Sequence, residues 1–151
     1  MNRRNALTQA AATLLAVAST ASLAQDHAHH GHMAASAPAA SGNYKALIGA
    51  SADCVVQGQA CLAHCLVLLA DGDKSMGPCA KSVNQMLAVC GALQSLAAQQ
   101  SALVPALAKT ALRACEECEK ECRVHEKHHA TCKACMEACA NCIKQCKAVA
   151  A

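Results

Sequence analysis

The chain has 151 residues, thirteen cysteines, one tyrosine, no tryptophan or phenylalanine, and a formal net charge of +3. That length suits a single domain, and so weak a positive charge provides no electrostatic footprint for nucleic acid or a membrane surface. The cysteine density is that of a disulfide scaffold, but such scaffolds are loop-rich, whereas this chain is filled with the strong helix formers Ala, Leu, Gln, Glu and Lys.

The first 24 residues read as a signal peptide. Arg3 and Arg4 form the charged region, Ala10 to Ala21 a mildly apolar stretch, and Ser22-Leu23-Ala24 a cleavage site. The arginine pair and the Ala/Thr-rich stretch point to the twin-arginine route, so the protein is expected to be exported, to the periplasm. The apolar run is too short to span a bilayer. Cleavage removes two arginines and no acid, lowering the formal charge from +3 to +1.

Residues 25–43 carry no period and read as a flexible leader. His27, His29, His30, His32 and Met33 make it either a loose metal-binding tract or a solvated linker.

From Tyr44 onward helical periodicity takes over. The first helix runs to residue 70 and stops at the turn signal Asp71-Gly72-Asp73. Pro78 sits in the first turn of a second helix reaching about Gln100. Ser101 caps a third, with Pro105 in its first turn and an end near Lys127. After a His-rich turn, Thr131 caps a fourth that ends near Ala148. Four helices of roughly 20 to 27 residues with short connections predict an all-α fold, an antiparallel up-down-up-down bundle over 44–148.

The cysteines keep phase with these helices. At 100° per residue, Cys132, Cys135, Cys139, Cys142 and Cys146 fall within an arc of about 80°. This is the seam that faces a bundle axis. Cys115, Cys118 and Cys122 repeat the pattern in the third helix, with His125 at the next such position. Cys79, Met86 and Cys90 form the stripe of the second helix, and Cys54, Cys61 and Cys65 that of the first. A chelating loop would not hold helical phase for so long. Bridges between i and i+3 or i+4 positions of one helix suffer poor geometry and close short loops, which leaves cross-helix disulfides as the alternative.

A core lined with thiols is a cage for soft ions. Thiolates select Cu(I), Zn(II) or iron–sulfur clusters. Zinc usually takes four ligands from separate short loops, and clusters need loops that wrap them. Cu(I), satisfied by two or three sulfurs, suits pairs on one helix or on adjacent helices, at roughly one ion per thiol where thiolates bridge. A general zinc or cadmium buffer and a disulfide-stapled structural bundle are the rival readings. The sequence offers no nucleophile–base pair or carboxylate dyad, so an enzyme is not expected.

These residues resemble the exported four-helix-bundle copper storage proteins. The resemblance is carried by Cys54, Cys61-Leu-Ala-His64-Cys65, Gly72-Asp73 with Met76 and Cys79, Cys90, Cys115-x2-Cys118-x3-Cys122 and the five-cysteine run from Cys132 to Cys146. It covers about residues 44–148. It implies storage of many Cu(I) ions with all thirteen cysteines as ligands, assembly into a homotetramer, and supply to copper-requiring enzymes or copper chaperones. It also implies an open bundle end where His64 and Met76 help ions in, Met76 being read as a turn residue outside the core. In an antiparallel bundle the turns at 71–77 and 125–130 share one end, which brings His125 there as a third candidate donor and makes His128 and His129 solvated turn residues. Met86 reads as plain core. Glu116, Glu117, Glu119 and Glu121 read with Lys120 and Arg123 as a solvated face.

Overall fold

The computed structural model describes residues 43–150. The expected signal peptide at 1–24 and nearly all of the leader at 25–43 lie outside the described residues. Four helices make up the described chain: α1, Lys45–Ala70; α2, Gly77–Ala98; α3, Val104–His125; and α4, Ala130–Ala150. A single 3₁₀ turn, Lys74–Met76, leads into α2. The boundaries lie within three residues of those read from the sequence.

The helix ends follow from local chemistry. After α1, Gly72 adopts φ 95°, which lets its N–H donate to Leu69 and the Asp73 N–H donate to Leu68. This closing motif satisfies the last carbonyls and favours glycine in the left-handed position. After α2, Gln100 takes the same role at φ 52°, with Ser101 N–H donating to Leu96. A non-glycine residue there is strained by about 1–2 kcal/mol. The Asp73 carboxylate accepts from the Ser75 backbone N–H at 3.0 Å and its hydroxyl at 2.6 Å, fixing the 3₁₀ turn.

Two expected caps are corrected. Ser101 precedes α3 by three residues, and its hydroxyl accepts from Leu103 N–H at 3.2 Å within the preceding turn. Thr131 lies inside α4, which starts one residue earlier; its hydroxyl oxygen is buried without a partner. Pro105 is in the first turn of α3 as expected.

Helices consecutive in sequence pack side by side, and α4 closes the ring against α1. The direction of each helix can be read from its sulfurs. Cys54 groups with Cys90, while Cys65, further along α1, meets Cys79, the earlier cysteine of α2. Cys115 and Cys122 follow the direction of α1; Cys132 and Cys142 reverse it. Each neighbour therefore runs antiparallel to the last, and the bundle is up-down-up-down.

Stepping three and four residues along each helix from Cys54, Cys90, Cys115 and Cys142 gives the layers of the core. Above this four-thiol layer come Gly58, Met86, Cys118 and Cys139, then Cys61, Val83, Cys122 and Cys135, then Cys65, Cys79, His125 and Cys132. Below it lie Ser51, Leu93, Ala111 and Cys146, then Leu47, Ala97, Ala108 and Val149. All of these are buried save His125 and Val149, which are partly so. One end of the axis is thus sulfur and the other hydrocarbon, closed by Leu47, Leu93 and Val104 at 2%, 0% and 0% exposure. Leu93→Ala should cost about 2–5 kcal/mol of unfolding free energy in the metal-free protein. Chemical denaturation would measure this, and an unchanged midpoint would show that the hydrocarbon end does not hold the bundle.

Gly58 is the one glycine buried within a helix of this core. A Cβ there would stand 2.7 Å from Met86 Cε and 2.9 Å from Leu87 Cδ2. Mid-helix glycine is about 1 kcal/mol worse than alanine; here it makes room for the α2 side chains.

α1 is long and apolar enough to cross a membrane by length and composition. It nonetheless supplies Cys54, Cys61 and Cys65 to the core, while Val56, Leu66 and Val67 remain exposed on its outer side. Glu116 and Glu117 face solvent as expected, Glu119 and Glu121 are half-buried, Arg123 pairs with Glu119, and Lys147 of α4 reaches Glu116 at 3.7 Å.

Candidate metal centre

Every cysteine is a free thiol with no solvent exposure. The phase read from the sequence therefore holds on all four helices, and what the fold adds is proximity. Sγ atoms meet at 3.5 Å between Cys90 and Cys115, 3.6 Å between Cys79 and Cys122, 3.7 Å between Cys118 and Cys135, 3.7 Å between Cys61 and Cys132, and 3.8 Å between Cys65 and Cys79. Cys61 and Cys122 meet across the bundle diagonal at 4.0 Å. Cysteine is small enough for such diagonal contact, which larger apolar residues would block.

Four sets have all their sulfurs within 4.8 Å of one another: Cys54, Cys90, Cys115 and Cys142; Cys61, Cys65, Cys79 and Cys132; Cys61, Cys122 and Cys135; and Cys118, Cys135 and Cys139. At a metal–sulfur distance of about 2.3 Å, trigonal coordination needs sulfurs roughly 4.0 Å apart and tetrahedral coordination roughly 3.8 Å. The observed spacings fit both. The sets overlap at Cys61 and Cys135, so neighbouring ions would share bridging thiolates. Cys146 extends the column from Cys142 at 3.9 Å.

Proton affinities within the network are uneven. Burial, and next the nearby Cys61 and Cys79, push the Cys65 thiol up. Cys132 is pushed up to about 11: a hydrogen bond with Cys61 favours its thiolate, but the bond with Cys79 and burial outweigh it. Cys61 is pushed up to about 12, its bond with Cys122 being outweighed by those with Cys132 and Cys135 and by burial. Cys135 goes the other way, because hydrogen bonds from Cys118, then Cys122, Cys139 and Cys61, stabilise its thiolate. Cys142 is likewise lowered by Cys115, Cys146, Cys54 and Cys90. Cys79 is also lowered, first by its hydrogen bond with Cys122. Burial thus favours the protonated thiol over much of the metal-free core, while Cys79, Cys135 and Cys142 are shifted toward the thiolate. A metal entering must displace the protons that remain.

The raised groups carry a stability consequence. Their folded values lie above the ordinary 9.0, so the native state holds protons that the unfolded chain releases. Their stabilisation is complete below about pH 9 and is lost as pH rises through 11 and 12. Thermal melts of the metal-free protein under argon should show a falling midpoint across that window; a flat profile would rule this out.

The histidines gather at the sulfur end. His64 Nε2 lies 2.9 Å from His129 Nδ1, joining α1 to the residue before α4. The rings of His125 and His129 are 6.1 Å apart, all three being partly buried. His64 and His125 thus both neighbour His129 at this end. His129 is a correction, since it is a member of the cluster and not a solvated turn residue; the only signal in the sequence was its three-residue step from Cys132. His128 is exposed, as expected. Met76 is also corrected in its surroundings. Expected as a turn residue outside the core, it has no exposure and belongs to the core at the start of α2. An open groove of about 630 Å³ lined by Glu126, Lys127, His128, His129, Ala130 and Lys133 adjoins the cluster.

A helical bundle whose axis is a connected column of free, buried thiols belongs to the class of soft-metal-binding proteins. The chain is a member of the copper storage protein family, whose profile matches residues 40–151. Among solved structures it is similar to the Cu(I)-bound copper storage protein BsCsp3, with 25% identity, a TM-score of 0.64, and coverage of 72% of this chain and 98% of that one. None of the curated proteins compared matches the sequence.

Proposed function

We propose that this protein stores Cu(I), many ions per chain, on the thiolates of its core. The observation that carries the reading is the overlap of the thiol sets: bridging sulfurs at 3.5–4.0 Å suit a polynuclear Cu(I) column better than separate tetrahedral sites. Family membership and the likeness to a Cu(I)-bound relative support it. Burial keeps the ions from water and oxygen, and the work is holding and releasing rather than catalysis. Release would supply copper-requiring enzymes or copper chaperones in the periplasm, after export on the signal peptide. Assembly into a tetramer would cover apolar surface such as Val56, Leu66 and Val67.

Anaerobic titration with Cu(I) against a competing chelator tests this. Uptake of roughly one ion per thiol is expected. Saturation at three or four ions, or displacement of copper by zinc, would overturn it. The second outcome has a specific rival behind it, because the two four-thiol sets also fit tetrahedral zinc.

The histidine cluster is where ions would first be held. Replacing His64 and His129 together by alanine should slow anaerobic loading about tenfold while leaving the final load unchanged. Stopped-flow absorbance in the sulfur-to-copper charge-transfer band would report the rate, and unchanged kinetics would remove the histidines from the uptake route.

A further inference from the structure

Between the three-thiol and four-thiol levels of the column lies one level with only two thiols. There α3 and α4 contribute Cys118 and Cys139, while α1 contributes Gly58 and α2 contributes Met86. The neighbouring levels hold three and four thiols. On the α1 and α2 side the thiols stand far apart: seven residues separate Cys54 from Cys61 and eleven separate Cys79 from Cys90, rises of about 10 and 16 Å. Met86 lies within that gap and has no solvent exposure. Gly58 leaves open the space that its end fills, since a Cβ at 58 would meet Met86 Cε at 2.7 Å. Both helices thus depart from the cysteine pattern at the same level, one by losing its side chain and the other by presenting a thioether.

We propose that Met86 is a neutral sulfur ligand for a Cu(I) ion held at the level of Cys118 and Cys139. This rests on the Cu(I)-storage reading. A thioether is a soft donor of the kind that selects Cu(I), and it binds with no proton to displace and no charge to add. With Cys118, Cys135 and Cys139 within 4.8 Å of one another, the thiolates supply the anionic ligands and Met86 supplies sulfur from the side that lacks it. Met86 thereby places sulfur on the α2 side between Cys79 and Cys90, with only Val83 lacking it along that stripe.

The test is selenium-edge X-ray absorption on the full chain labelled with selenomethionine and loaded anaerobically with Cu(I). Two variants are compared, Met76→Leu and Met76→Leu combined with Met86→Leu. The expected result is a copper–selenium scattering path in the first and its loss in the second, with helix content and thiol count equal in both. Absence of the path in Met76→Leu overturns the proposal, and that sample keeps Met86 intact, so a folding defect at position 86 cannot explain it. An undiminished path after Met86→Leu overturns it as well, by assigning the whole contact to another methionine such as Met33 of the leader. In both overturning cases a full copper load on the thiols leaves the storage reading standing, whereas failure of the labelled chain to take up Cu(I) brings down both.

Discussion

Combining Cys54→Ser, Cys90→Ser, Cys115→Ser and Cys142→Ser should leave a folded bundle that holds about four fewer Cu(I) ions at saturation, at roughly one ion per thiol. These four thiols come one from each helix and form one layer, mutually within 4.8 Å. Oxygen is a hard donor and does not replace sulfur for Cu(I), so the layer loses its ions together. Serine has nearly the volume of cysteine, and the bundle already shows how such a hydroxyl is accommodated. Ser51, one step below Cys54 on the same stripe, donates to the Leu47 carbonyl at 2.7 Å and is fully buried. Each new serine has a carbonyl four residues back within the same reach. Cys146→Ser is the control: it lies at the lower edge of the column and should lower the load by about one ion. Anaerobic titration with metal analysis reads the load, and far-ultraviolet circular dichroism confirms the fold. A folded quadruple variant with an undiminished load would show that copper is held elsewhere.

Copper removal should lower the melting temperature by at least about 15 °C. Any ligand that binds only the native state adds RT ln(1 + [L]/Kd), about 4 kcal/mol per ion at a thousandfold excess over Kd. In a domain of this size each kcal/mol shifts the midpoint by about 4–8 °C. The structural reason is that metal would cross-link what the metal-free core merely packs. Without it the thiols of the four helices touch through weak S–H contacts at 3.5–4.0 Å, and the hydrocarbon residues Leu47, Leu93 and Val104 lie at one end only. Thiols of the unfolded chain also bind copper, which reduces the gain per ion, but an unfolded chain cannot assemble the cross-helix sets. Melts of loaded and stripped protein under argon read the difference; equal midpoints would mean that copper binds without joining the helices.

Both expectations combine features legible in the sequence with features that were not. The repeat of three and four residues through Cys132, Cys135, Cys139, Cys142 and Cys146 is the period of the helix, so the inward phase of the sulfur was readable without coordinates. The same holds for Cys115, Cys118 and Cys122. The turn at Gly72 was readable because glycine tolerates the left-handed conformation found there. Gln100, which adopts that conformation without being glycine, gave no such signal. Ser101 and Thr131 were misread as caps because a capping residue type does not fix the residue at which a helix begins. His129 and Met76 were misjudged because exposure at the end of a bundle depends on which loops meet there.

The amino-acid sequence by itself determined four helices, their order, the face on which each carries its thiols, and the soft-metal chemistry that those thiols imply. Only the tertiary structure decided the register. It set Cys54 against Cys90, Cys115 and Cys142, joined His64 to His129, buried Met76, and put Gly58 opposite Met86. The reason is physical: helical period is a property of one segment, fixed by local backbone geometry. The height at which one helix meets another depends on turn length and on the fit of side chains across an interface, which no single segment encodes.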